Sequence, residues 1–145
     1  MSSITIIGAG NMGTAIAGLA LAAGSEVQVL TREATDLDPR VVPDGSSAAA
    51  QIQQRVPGAR VLKAFNTNFA ATLASGQVGP LPTTVHVAGD DADAKAALAG
   101  AVSGVRVVDA GSLKRAHELE ALGFLQLTLA AGEKTSWTTG FALAE

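Results

Sequence analysis

A chain of 145 residues has the length of one domain, and with 48% hydrophobic and 16% charged residues it can bury a core and is not a disordered segment. A net charge of -3, with Lys114-Arg115 an isolated basic pair, argues against nucleic acid as a partner. The absence of cysteine excludes disulfides, thiolate catalysis and cysteine-held metals, and suits a reducing compartment.

The chain opens on Ser3 to Ile7, a β-branched run, and continues as Gly8-Ala9-Gly10-Asn11-Met12-Gly13 into the alanine- and leucine-rich stretch Thr14 to Ala22. This reads as strand, tight turn and helix, with a GxGxxG pattern at the junction. In a dinucleotide-binding unit Gly8 would allow the sharp turn, Gly10 the approach of a pyrophosphate to the backbone, and Gly13 the close packing of the helix on the sheet. The N–H groups of the first helical turn would face the phosphates. Gly24 stops the helix, and Glu26 to Leu30 is a second strand.

At the end of that strand a site for NAD usually carries an acidic residue against the ribose 2'-hydroxyl. Here stand Thr31 and Arg32, a hydroxyl and a planar guanidinium suited to the 2'-phosphate of NADP, with Glu33 next to them as a competing carboxylate. Glu33 to Gly45 has no strand or helix period and reads as loop. A helix is expected from Ser46 or Ser47 to about Arg55, halted by Pro57-Gly58, and a strand from Ala59 to Phe65 ending in Asn66-Thr67-Asn68. Phe69 to Ala74 makes a short helix, and Gly76, Gly79, Pro80 and Pro82 break any regular element before Thr83.

Thr83 to Gly89 is the next strand, with Asp90 or Asp91 capping a helix from Ala92 to about Val102. Val105 to Asp109 is a fifth strand, Ser112 opens a helix to about Ala131, and the tail carrying Trp137 reads as loop or edge strand. The alternation predicts one domain over residues 1–145. Its fold is α/β and Rossmann-like, in three layers, with the second strand beside the first and the later strands on the first strand's other side. The short connection from Phe65 to Thr83 permits an antiparallel neighbour, so the sheet is expected to be mainly parallel. Neither Ile16 to Ala23 nor Leu119 to Ala131 is long or continuous enough to span a bilayer, and the start of the chain lacks the basic and apolar regions of a signal peptide; a soluble, cytoplasmic protein is expected.

Groups for acid, base or nucleophile work are few. His86 lies inside a predicted strand and reads as a half-buried structural imidazole, while His117 lies in a charged helix start and reads as surface. Asp90, Asp91 and Asp93 cluster where a helix begins, which explains them as caps, and no ligand set points to a metal. This scarcity fits hydride transfer between two bound cofactors, where the protein positions the reacting atoms, and it fits a non-catalytic NADP-binding module equally well.

Five blocks in order, namely Ile6 to Gly13, Thr31-Arg32, Lys63 to Thr67, Val87 to Asp91 and Val108 to Leu113, resemble the NADPH-dependent coenzyme F-420 reductases. The resemblance implies hydride transfer between NADPH and a deazaflavin, or a flavin or ferric acceptor in related domains, and a homodimer. It implies that Gly8, Gly10, Asn11, Met12 and Gly13 hold the pyrophosphate and Thr31 and Arg32 the 2'-phosphate. Phe65, Asn66 and Thr67 would lie beside the nicotinamide and the small-molecule acceptor. It names no catalytic side chain.

Family members carry a helix and further strands between the second strand and the Ser46 helix. By that resemblance roughly 50 or more residues, at about 30 per βαβ unit, are absent here, with the join expected near Ala34 and Thr35. Two outcomes are expected. Either the first strand pairs directly with Val61 to Phe65, or consecutive residues between Glu33 and Val42 stand farther apart than the roughly 3.8 Å of a trans peptide.

Overall fold

In a computed structural model the described residues are 2–7, 10–30 and 46–144. Strand β1 (Ser3–Ile7) leads into helix α1 (Asn11–Ala22) and strand β2 (Glu26–Leu30), and β1 and β2 pair in parallel, Ser3 opposite Glu26 through to Ile7 opposite Leu30. Gly24, at φ 77°, reverses the chain between helix and strand: its amide donates to Leu21 O at 2.9 Å and that of Ser25 to Ala20 O at 3.0 Å. These two bonds satisfy carbonyls that a helix end would otherwise leave bare, in a conformation that glycine adopts without a Cβ penalty.

Helix α2 (Ala48–Arg55) starts at Ser47, whose Oγ accepts from Ala50 N at 3.1 Å. After it come α3 (Ala70–Ser75), a two-residue hairpin of β3 (Gln77–Val78) and β4 (Leu81–Pro82), then β5 (Thr84–Ala88), α4 (Ala92–Ala101), β6 (Arg106–Gly111), a 3-10 turn at Leu113–Arg115 and α5 (Ala116–Ala131). Strands β5 and β6 are parallel, with a bulge after Val87 that carries Ala88 opposite Gly111. The fold is α/β with mostly parallel strands and one small antiparallel sheet, as expected.

Three details depart from expectation. The segment from Ala59 to Phe65 is not a strand: it meets β5 in one antiparallel bridge, Lys63 to Ala88, with N–H···O distances of 2.8 and 2.9 Å. The reason is local. The Gln53 carboxamide, which has the donor and acceptor of a peptide group, gives a hydrogen bond to Ala59 O and takes one from Val61 N, replacing a neighbouring strand there. Second, the Gly- and Pro-rich stretch after Gly76 forms the β3–β4 hairpin. Third, the later strands do not continue the ladder of β1. Among the described residues β1 pairs only with β2, so its direct pairing with Val61 to Phe65 is not found. The spacing of residues between Glu33 and Val42 lies outside the described residues.

What unites the two parallel pairs is packing. Ala15 and Leu19 of α1 meet Leu73 of α3, Val85 and Val87 of β5, and Val102. Polar bonds clamp the same seam, with Ser25 Oγ donating to Ala101 O and Ser103 N to Leu19 O. A smaller cluster joins Ala49 of α2 to Leu113 and Ala116. Leu73 is fully buried at the meeting point. Leu73→Ala is therefore expected to cost about 2–5 kcal/mol in denaturant unfolding, and a loss below about 1 kcal/mol would contradict this account of the core.

Candidate functional site

The predicted phosphate-binding turn begins at the end of β1. Gly8, Thr31 and Arg32 lie outside the described residues. Gly10 caps α1 with φ -71° and ψ 179°, values open to any residue, and no side chain caps the helix. A Cβ added at Gly10 would meet nothing within 4 Å. Neither backbone conformation nor packing among the described residues calls for glycine here, and the open space leaves room for close approach from outside. No acidic residue stands in the first turn to oppose an anion. Asn11 is exposed and Gly13 half-buried. Asn11, Thr14 and Gly18 line one side of a cavity of about 670 Å³, with Ala70 and Ala74 of α3 on the other.

Met12 and Phe65 both pack against the main core, so the start of α1 and the turn carrying Phe65, Asn66 and Thr67 are seated on one hydrophobic support. Phe65 has φ 65°, a conformation costing a non-glycine residue on the order of 1–3 kcal/mol, and Asn68 N closes the turn on Phe65 O at 3.1 Å. Asn66 Nδ2 donates to Leu119 O in α5 at 2.7 Å, while its buried Oδ1 has no partner among the described residues. Gly123 makes this approach feasible, since any Cβ there would strike the Asn66 carbonyl.

Thr67 is buried with its Oγ1 3.3 Å from His86 Nδ1. Asn68, also buried, donates from Nδ2 to Thr84 O at 2.9 Å, and its Oδ1 has no partner among the described residues. These contacts lie on the face of β5 that presents Thr84 and His86, opposite Val85 and Val87. The tail covers part of it: Trp137 packs on Phe69 with ring centroids 5.1 Å apart, and Leu143 N donates to Thr84 Oγ1 at 3.4 Å. Burial lowers the pKa of His86 from its ordinary value, so the imidazole is held neutral.

The aspartates act as structural groups. Asp91 caps α4, taking Ala94 N at 2.7 Å, whereas Asp90 turns away and takes Leu113 N at 2.9 Å. Among the described residues no group of three or more His, Asp or Glu side chains could hold a metal. Sequence reading overlooked Asn68 and Gly123. A lone glycine inside a helical pattern was the available signal for the second. It also overlooked Glu120, whose Oε1 takes both Lys63 Nζ and Ala48 N at 3.1 Å and so joins three segments.

A strand, an exposed glycine at the head of the following helix and a helix start with no side-chain cap fit the glycine-rich turn of a dinucleotide-binding fold. Residues 3–54 match the family described as NADP oxidoreductase coenzyme F420-dependent. The stretch contains all of the phosphate- and ribose-binding positions expected from sequence, and ends before Phe65. Among solved structures the chain is similar to one from Arthrobacter sp. FB24, named "putative f420 dependent nadp-reductase". That likeness has 20% identity and a TM-score of 0.76, and covers 100% of both chains. It is also similar to hypothetical protein SMa0349 from Sinorhizobium meliloti, with 22% identity and a TM-score of 0.57 over 78% of this chain and 86% of that one. At these identities the two structures bear on the fold. No curated protein matches the chain.

The lowered pKa of His86 makes the unfolded chain bind more protons than the folded one below neutrality. Stability is thus full above pH 6.5, the ordinary value, and is lost as pH falls toward and through the folded value. Asp109, held down by Lys95, and Glu118, held down by its own backbone amide, titrate below the ordinary carboxylate range and act only at lower pH. The denaturation midpoint is expected to fall between about pH 7.5 and 5, and His86→Asn to flatten that slope; an equal slope in the variant would assign it elsewhere.

Proposed function

We propose that this protein is an NADPH-dependent oxidoreductase that passes hydride between NADPH and a deazaflavin, coenzyme F-420, or a related flavin. The observation that carries the reading is Gly10, a glycine that neither the fold's conformation nor its packing requires, at the head of a helix inside the stretch matching the family. Gly8, Gly10, Asn11, Met12 and Gly13 take the pyrophosphate. Thr31 and Arg32 take the 2'-phosphate, and this pair selects NADPH over NADH. When bound, NADPH supplies the hydride and its two electrons.

The chain's own task is then positioning and exclusion of water. Phe65, Asn66 and Thr67 are assigned to the nicotinamide and acceptor side. Their turn is fixed from behind by Leu119 and His86, which supports a preformed wall. No side chain is assigned a covalent role. A second reading, an NADP-binding module without turnover, is favoured by the bare side of β1, where a cleft wall would stand; among the described residues β2 is its only partner.

Loss of NADPH absorbance on mixing with the oxidised deazaflavin is expected. Tight binding without that loss would select the module, and no binding would overturn both readings. Arg32→Ala is expected to weaken NADPH by about 1.5–3 kcal/mol, the range for a hydrogen bond to a charged group, and to leave NADH nearly unchanged. Equal losses would make Arg32 structural.

We further propose a homodimer in the cytoplasm. Helix α5 supports the dimer: from Ala121 to Ala131 it has no charged residue, and Phe124 is 67% exposed beside exposed Leu125 and Leu127. Phe124→Glu should shift the mass measured by light scattering from dimer to monomer. A wild-type monomer, or a variant that still dimerises, would remove α5 from the interface.

A further inference from the structure

Asp90 follows β5 and Ser112 follows β6, so the loops carrying them lie at the carboxyl ends of this parallel pair. Asn68, bonded to Thr84 O, marks the amino end of β5. Crevices outside the carboxyl ends of parallel strands are the usual ligand sites of open α/β sheets. A cavity of about 540 Å³ opens there, between α2 and the turn leading into α5.

Its polar lining divides into two sets. One set holds the walls in place. Asp90 takes Leu113 N, the Gln53 carboxamide is engaged by Val61 N, Val56 O and Ala59 O, and Ser46 Oγ takes Gln51 Nε2. His117 Nδ1 lies 3.2 Å from Ser46 O. A carbonyl only accepts, so Nδ1 carries the proton, and in the neutral ring Nε2 is left as an acceptor. The other set is solvent-exposed: Gln54, Ser112 and Lys114 line the mouth of the cavity and make no side-chain hydrogen bond or ion pair among the described residues. A fixed frame with an ammonium, a hydroxyl and a carboxamide left over is suited to a ligand with one anionic group and several hydroxyls. The anion belongs beside Lys114, and hydroxyls beside Ser112, Gln54 and the remaining oxygen of Asp90.

We propose that this cavity is a second ligand site, separate from the dinucleotide site, for a small phosphorylated polyol. The assignment does not depend on the redox reaction. The probe is ribose 5-phosphate, titrated into the full chain by calorimetry with and without saturating NADPH, beside ribose and inorganic phosphate as controls. Saturable binding is expected, tighter than that of either control and unchanged by NADPH. It should be weakened about tenfold or more in Lys114→Ala, retained in Lys114→Arg, and weakened in Ser112→Ala, which serves should the Lys114→Ala variant not fold.

Amide shifts on titration should centre on Ser112 and Leu113. No saturable binding, competition by NADPH, or equal affinity in Lys114→Ala and Ser112→Ala would overturn the proposal. Failure of NADPH itself to bind would count against the proposed redox function and leave this test intact.

Discussion

Two parallel strand pairs, which share no ladder among the described residues, are held together by packing on α1, and the arrangement depends on how closely that helix can approach. Strand β5 is buried on both faces and so needs apolar cover from helices, whereas β1 and β2 turn Ser3, Thr5, Glu26 and Gln28 to solvent. Here Ala15 and Leu19 lie against Leu73, Val85 and Val87, and the small residues of α1 keep the distance short. The polar bonds serve two helix ends, where last carbonyls need partners: Ser103 N donates to Leu19 O near the end of α1, and Ser25 Oγ donates to Ala101 O at the end of α4. The position of Gly10 and Asn11, and hence of any phosphate they hold, is inherited from this packing. A disturbance in the core at Leu73 would be felt at the helix that heads the proposed cofactor site.

The β1–α1–β2 unit was legible because its signals are local: a β-branched run, glycines at a fixed spacing, alanine and leucine, then Gly24. The same holds for the Ser47 and Asp91 caps, each read from one residue before a helical run. What was illegible depends on distant partners. Ala59 to Phe65 has the composition of a strand, yet Gln53 supplies some of its hydrogen bonds and Phe65 turns into the left-handed region, and neither event is written in the segment itself. The β3–β4 hairpin is two residues to a side, shorter than any alternation pattern can register.

The acceptor-side turn shows the same division. Phe65, Asn66 and Thr67 were singled out by resemblance to a family, and the structure gives them a common physical setting of buried or half-buried side chains tied to α5 and β5. Asn68 and Gly123, which complete that setting, have no signature of their own. Gly123 matters for the atom it lacks and Asn68 for one bond to Thr84 O across sixteen residues. The unpartnered oxygens of Asn66 and Asn68 stand within this turn. Buried acceptors of this kind are uncommon, because each gives up its hydration without a protein partner in exchange.

The stacking of Trp137 on Phe69 has an optical consequence. The chain has one tryptophan and no tyrosine, so its near-ultraviolet emission arises from a single ring. That ring sits on the residue next to Asn68, at the edge of the turn assigned to the acceptor. Quenching, spectral shift or anisotropy of the unmodified protein therefore reads one place on its surface without averaging over others. A change of the tail against α3 would be visible in the stopped-flow without any added label.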